Sequence, residues 1–89
     1  MSADVANTDI ERTRGLSYRP FAQSMLFVFD DEGQPSFWMK DMNFAIDIIW
    51  LRHDVVVGFE KDAQPERPAK TFYKPTALID MALEVPAGT

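Results

Sequence analysis

The chain has 89 residues, with 14 acidic side chains against 9 basic ones, a formal net charge of −5 and no cysteine. That length holds one domain and not two; the charge disfavours a phosphate-backbone or anionic-membrane binder, both of which need clustered cations. Without cysteine there is no disulfide staple, no thiolate metal site and no redox signal of compartment.

Near the start, Thr8-Asp9-Ile10-Glu11 reads as a capping box: the Thr8 hydroxyl accepts from the Glu11 amide, and the Glu11 carboxylate reaches back to the Thr8 amide. Asp9 and Glu11 stand at the positive end of the helix dipole, Arg12 and Arg14 at the negative end. Gly15 is placed to stop the helix, with Leu16 expected to pack back on Ile10 in a Schellman motif. A helix under two turns is not stable alone, so Ile10 and Leu16 are expected to dock on something larger.

The remainder reads as strands. Residues 25–30 are apolar on both faces, which predicts a central, covered strand. A turn at 31–35 and a return strand at 36–40 would make a hairpin. Residues 46–52 alternate, with Ile46, Ile48 and Trp50 on one face and Asp47, Ile49 and Leu51 on the other. His53-Asp54 is a tight turn into a strand at 55–60. Residues 63–75 form a long loop in which Pro65, Pro68 and Pro75 exclude a central strand. The last strand, 77–85, is expected to set Ile79, Met81, Leu83 and Val85 on one face. The expected core includes Phe27, Phe29, Ile48 and Leu83. The fold class is therefore mainly β (α+β): a compact antiparallel sheet or barrel-like domain with one short N-terminal helix.

No apolar run is long enough to cross a bilayer, which takes roughly 20 residues, so membrane insertion is not expected. The opening Met1-Ser2-Ala3-Asp4 has no signal-peptide character. The chain is expected to be exported or periplasmic if a leader was removed before it, and cytoplasmic otherwise.

Little in the sequence carries recognisable chemistry. His53 is the only histidine, sits at a hairpin tip and has no serine or carboxylate placed to pair with it, so neither a triad nor a zinc or copper site is expected. Asp30-Asp31-Glu32-Gly33 lacks the acid spacing of a calcium loop. Asp47 is an acid among large apolar residues, which means a solvent face, a bonded anchor for the loop at 41–44, or an acid in a pocket. A hydrogen-bonded anchor predicts a depressed pKa, with Lys40, Arg14 and Arg19 as counter-charges. Arg14, Arg19, Lys40, Asp47 and Glu84 form the one candidate constellation. Trp38 with Trp50 could add a stacking surface.

Several segments together resemble a known family: Glu11-Arg12-Thr13-Arg14-Gly15-Leu16 with Arg19, Met25-Leu26-Phe27-Val28-Phe29, Phe37-Trp38-Met39-Lys40, Ile46-Asp47-Ile48-Ile49-Trp50, Tyr73-Lys74-Pro75 and Leu83-Glu84-Val85-Pro86-Ala87-Gly88. In order and spacing they are similar to the small prokaryotic family called domain of unknown function 192. The resemblance implies a compact, mainly β domain with a short helix near its start, often in exported or lipid-anchored proteins. It implies no established activity, cofactor or partner. Tyr73, in the long loop that would bound the site, is a further candidate binding residue. Asp41-Met42 stands where the family usually has Asn-Thr, Ser17 where it commonly has Met, and the family pattern usually continues past Pro-Ala-Gly. The expectation is thus one domain over residues 1–89, either a natural short form or one that lacks a C-terminal strand.

The leading functional expectation is a binding module for a peptide segment or a small polar molecule such as a sugar, using Arg14, Arg19, Trp38, Lys40, Asp47, Tyr73 and Glu84. It would need no cofactor and no metal, and would bind no nucleic acid. The alternatives are a small hydrolase using Asp47 with Lys40 or Arg14, and a structural domain that forms homo-oligomers through open strand edges.

Overall fold

Helix α1 (Asp9–Arg14) begins where its capping box forms. In this computed structural model, which describes residues 3–68 and 70–89, the Thr8 hydroxyl accepts from the Glu11 amide at 3.2 Å and the Glu11 carboxylate accepts from the Thr8 amide at 3.2 Å. Gly15 follows at φ 50°, a conformation that favours glycine. Its ψ of −134° is not that of a left-handed helical residue, and the expected Schellman contact does not form. Leu16 is buried in the core while Ile10 stays 66% exposed. Arg12 pins the helix instead: it donates to the Val28 carbonyl at 2.7 Å, pairs with Asp9 at 2.7 Å and lies 5.7 Å from the Phe29 ring centre.

Five strands follow the order β1-β2-β5-β3-β4 in one sheet: β1 (Asp4–Ala6), β2 (Met25–Gly33), β3 (Ile46–Arg52), β4 (Val55–Ala63) and β5 (Ile79–Pro86). The short β1, which the sequence did not suggest, runs parallel to β2, and the other three pairings are antiparallel. The fold is mostly β, a mixed sheet with one short helix. Its edges, β1 and β4, are not paired to each other among the described residues, so the sheet is open rather than a closed barrel.

The β3–β4 hairpin forms as read, with His53 and Asp54 both at positive φ, as a two-residue primed turn requires. The expected hairpin of residues 25–30 with 36–40 does not form. β2 pairs with β1 and β5, and Phe37 bridges to Tyr73 through two backbone hydrogen bonds of 2.8 Å. The reason is burial: by leaving the sheet plane, Phe37 lies over the core face, 5.1 Å from Phe27 and 5.5 Å from Trp50 between ring centres. The loop expected at 63–75 contains residue 69, which lies outside the described residues; Ala63 itself closes β4.

One face of the sheet carries the core: Met25 and Phe27 from β2, Ala82 from β5, and Ile46, Ile48 and Trp50 from β3. Leu16, Met39 and Met42 close over it. Phe27 and Ile48 are buried as expected, but Phe29 and Leu83 are only half-buried. The last strand departs from its expected stripe: Ile79 and Val85 are buried, but Met81 and Leu83 are not. Ala82 and Glu84 face the core, whereas Met81 and Leu83 lie half-exposed on the outer face, in rows such as Leu26–Leu83–Ile49–Phe59. Bulky residues on both neighbours, Phe27 and Trp50, flank the small Ala82 on the core side.

Candidate functional site

Asp47 faces away from the core, opposite Val85. It is 3% exposed and both oxygens of its carboxylate are bonded: it accepts from Lys61 Nζ at 2.9 Å, from the Asp62 amide at 2.7 Å and from the Gly88 amide at 3.2 Å. The Asp62 amide, then the Lys61 ammonium, hold its pKa below the usual carboxylate range against the opposing effect of burial. The sequence-based expectation of a depressed, anchoring acid holds, but the partners are not Lys40, Arg14, Arg19 or the loop at 41–44. The carboxylate ties down the bulge in β4, where Asp62 sits at φ 56°, and the turn after β5. A hydrolase acid built from Asp47 with Lys40 or Arg14 is not what this geometry provides.

Glu84 is the opposite case. It stands on the core face in a row between Met25 and Ile48, with 4% of its surface exposed. Every fully sealed side-chain nitrogen or oxygen among the described residues has a hydrogen-bond partner. Glu84 forms no hydrogen bond or ion pair among them, so its carboxyl must reach open space. That space is a cavity of about 500 Å³, bounded by α1 and the turn after it on one side and by residues 35–38 on the other. Glu84 lines it together with Phe27, Phe29, Phe37 and Met42, and Arg12, Thr13, Arg14, Ser17 and Ser36 supply polar groups. Burial alone pushes the Glu84 pKa up to about 8, so the carboxyl carries its proton at neutral pH.

Trp38 and Phe72 also line this cavity, tilted against each other at 6.0 Å between ring centres and 47% and 61% exposed. Their exposed faces supply apolar contact area to anything that enters. A second cavity of about 550 Å³ adjoins the first and shares Thr13, Arg14, Gly15, Ser17 and Trp38 with it. Lys40, Arg19, Tyr18 and Asp41 complete its wall. The Lys40 ammonium lies 5.3 Å from the centre of the Trp38 ring. Asp41, at the Tyr18 hydroxyl, raises the Tyr18 pKa.

Of the residues singled out in the sequence, Arg14, Trp38 and Glu84 therefore meet around the first cavity, and Arg19 and Lys40 join Arg14 and Trp38 around the second. Arg19 is engaged with Asp4 and Gln23, each at 2.6 Å, and ties β1 to the turn before β2. Arg14 and Lys40 form no ion pair among the described residues. Asp47 and Tyr73 line neither cavity; Tyr73 packs against the core beside Phe37. Ser36 and Phe72 were missed. They come from irregular segments, and nothing in their local sequence shows that the chain folds back over the sheet there.

The fold is shared with solved structures. The chain is similar to a protein of unknown function from Novosphingobium aromaticivorans DSM 12444, with a TM-score of 0.87 and 24% identity, over 97% of this chain and 63% of that one. It is similar also to a candidate transcription regulator from Sinorhizobium meliloti 1021, with a TM-score of 0.89 and 23% identity, over 97% of this chain and 68% of that one. The chain thus spans less than two thirds of the first neighbour's length. No curated protein matches it. The family model described as "Uncharacterized ACR" matches residues 1–89, the whole sequence, and the chain belongs to that family, domain of unknown function 192.

Proposed function

We propose that this domain is a binding module whose ligand, a small polar molecule or a short peptide segment, enters the cavity over Glu84. The observation that carries the reading is Glu84 itself: a carboxyl almost sealed from water, without a hydrogen-bond or ion-pair partner among the described residues, on the wall of that cavity. Such a group costs stability whenever it must ionise, and no hydrogen bond or ion pair among the described residues compensates it. A ligand in the cavity would supply the missing partner. The cavity volume falls within the range of small-molecule sites, and its mixture of aromatic walls with a few polar groups is the usual make-up of one. Trp38 and Phe72 give the ligand a stacking surface at the rim. Among the described residues no histidine lines the cavity, and Asp9, the other carboxylate on its wall, is paired with Arg12, which keeps binding ahead of hydrolysis. Nucleic-acid binding is not part of the reading, since 14 acids against 9 bases oppose a phosphate backbone.

The test is a thermal-shift screen of small organic acids, sugars and short peptides on the protein and on Trp38→Ala. A ligand at a hundred times its Kd stabilises by about 2.7 kcal/mol, which for a domain of this size raises Tm by roughly 10 °C or more. We expect at least one class to do so and the shift to shrink in Trp38→Ala. A panel that shifts nothing, or shifts both proteins equally, overturns the reading.

A further inference from the structure

We infer that the cavity over Glu84 takes a small organic carboxylate with an apolar body, its carboxylate held at the mouth by Arg14 and an oxygen at its inner end hydrogen-bonded to the Glu84 carboxyl. The inference rests on the binding reading above and names its ligand class.

Charge is the first argument. The molecule carries −5, yet four of its nine cations line the two adjoining cavities: Arg12, Arg14, Arg19 and Lys40. Arg12 is matched by Asp9 at 2.7 Å and Arg19 by Asp4 at 2.6 Å. Asp41, the other acid on these walls besides Asp9 and Glu84, lies at the Tyr18 hydroxyl and offsets one of the two remaining cations. Arg14 lines both cavities, and neither it nor Lys40 has an ion-pair partner among the described residues. The mouth is thus a local positive site on a negative molecule, which draws anions and repels cations. Arginine also presents the planar fork that matches a carboxylate.

The inner end supplies the second argument. From β2, Met25 and Phe27 face Glu84; from β3, Ile48; and along β5, Ala82. All are apolar. The charged groups on the cavity wall across from it are Asp9, Arg12 and Arg14. A carboxyl in that setting keeps its proton and donates a hydrogen bond, so its natural partner is a carbonyl or hydroxyl oxygen. An amine would have to pass Arg14 and then ionise Glu84. Between the two ends the walls are Phe29, Phe37, Trp38 and Phe72, which suit an aromatic or aliphatic body.

Calorimetric titration with three probes tests this: phloretate, which has a phenol at the end away from its carboxylate; hydrocinnamate, which lacks the phenol; and tyramine, which replaces the carboxylate by an ammonium. Phloretate is expected to bind about tenfold more tightly than hydrocinnamate, the worth of one buried hydrogen bond, and tyramine not measurably. Arg14→Gln, an exposed and unpaired position, should weaken both carboxylates about tenfold at unchanged Tm. Glu84→Leu should erase the difference between the two carboxylates, whereas Glu84→Gln keeps a donor and should retain it. Tyramine binding as tightly as phloretate, indifference to Arg14→Gln, or no carboxylate binding at millimolar concentration overturns the inference. Tyramine binding that Trp38→Ala abolishes would leave the cavity a ligand site and refute only its ligand class; the broad thermal-shift panel decides the binding reading separately.

Discussion

Asp47 and Glu84 sit on neighbouring strands, both nearly sealed from water, and their surroundings push their acidities in opposite directions. Asp47 gathers two amides and an ammonium, so its charged form is stabilised; Glu84 has apolar neighbours on both adjoining strands and no hydrogen-bond or charge partner among the described residues, so its neutral form is. Asp47→Asn keeps one acceptor oxygen and forfeits the charge that holds Lys61 and two amides together. It is expected to cost about 1–3 kcal/mol at neutral pH, the range for hydrogen bonds to charged groups. A depressed acid contributes stability above its unfolded pKa near 3.9 and loses it as pH falls through its folded pKa. The deficit of Asp47→Asn should therefore shrink in strong acid, and urea unfolding of both proteins at pH 7 and in strong acid checks it. An equal deficit at both would mean that the amide, not the loss of charge, is at fault. The sequence showed that an acid between Ile46 and Ile48 needs partners. It did not show which, because Lys61 and Gly88 reach it only through the β3–β4 pairing and the turn after β5.

At the level of elements, what is encoded within a few residues was legible, and what depends on distant pairing was not. The capping box and the His53-Asp54 turn use neighbours along the chain and form as read. Thr8→Ala should cost about 1 kcal/mol through the lost cap. Gly15→Val should cost more, because φ is 50° there and a Cβ would stand 3.2 Å from the Phe27 ring. Thermal melts of the two variants check the order, and a milder effect at Gly15 would mean that the turn after α1 can rearrange freely. Strand β5 shows the limit. Its alternation correctly says that Met81 and Leu83 share a face with one another. It cannot say which face is the core, since both faces of this sheet carry apolar side chains and only one is covered by Leu16, Met39 and Met42. The same ambiguity hid Glu84 as a core residue, although its presence among the candidates was legible from its being an acid in an apolar strand. The missing 25–40 hairpin has a related cause: a turn signal marks where the chain bends, not whether the following segment pairs or crosses the sheet.

For the whole molecule these opposing acids fix how stability varies with pH. Asp47, Glu11 and Glu66 have folded pKa values below their usual ones, each through hydrogen bonds to its carboxylate. Their contribution is present above the unfolded carboxylate pKa near 4 and is lost on acidification. Glu84 acts with the other sign. Its folded pKa of about 8 lies above the unfolded value, so its neutral form favours folding fully at low pH. That advantage erodes as pH rises from about 4.5, where the unfolded chain begins to release the proton and the folded one does not. Beyond the folded pKa the buried carboxylate is ionised and the loss is complete. The net charge of −5 at pH 7 adds self-repulsion in the same direction. The protein should therefore be most stable in mildly acidic solution, near pH 5, and weaken steadily toward pH 9. Glu84→Gln removes the rising-pH loss while keeping shape and polarity. It is expected to match the parent protein in mild acid, exceed it by several kcal/mol at pH 9, and move the optimum toward neutrality. Urea midpoints of both proteins measured from acid to alkaline pH decide the matter. A parent protein that holds its midpoint up to pH 9, or a Glu84→Gln profile parallel to it, would mean that the ionised carboxylate finds water or a partner that this packing does not give it, and Glu84 would no longer mark the cavity as a site awaiting a ligand.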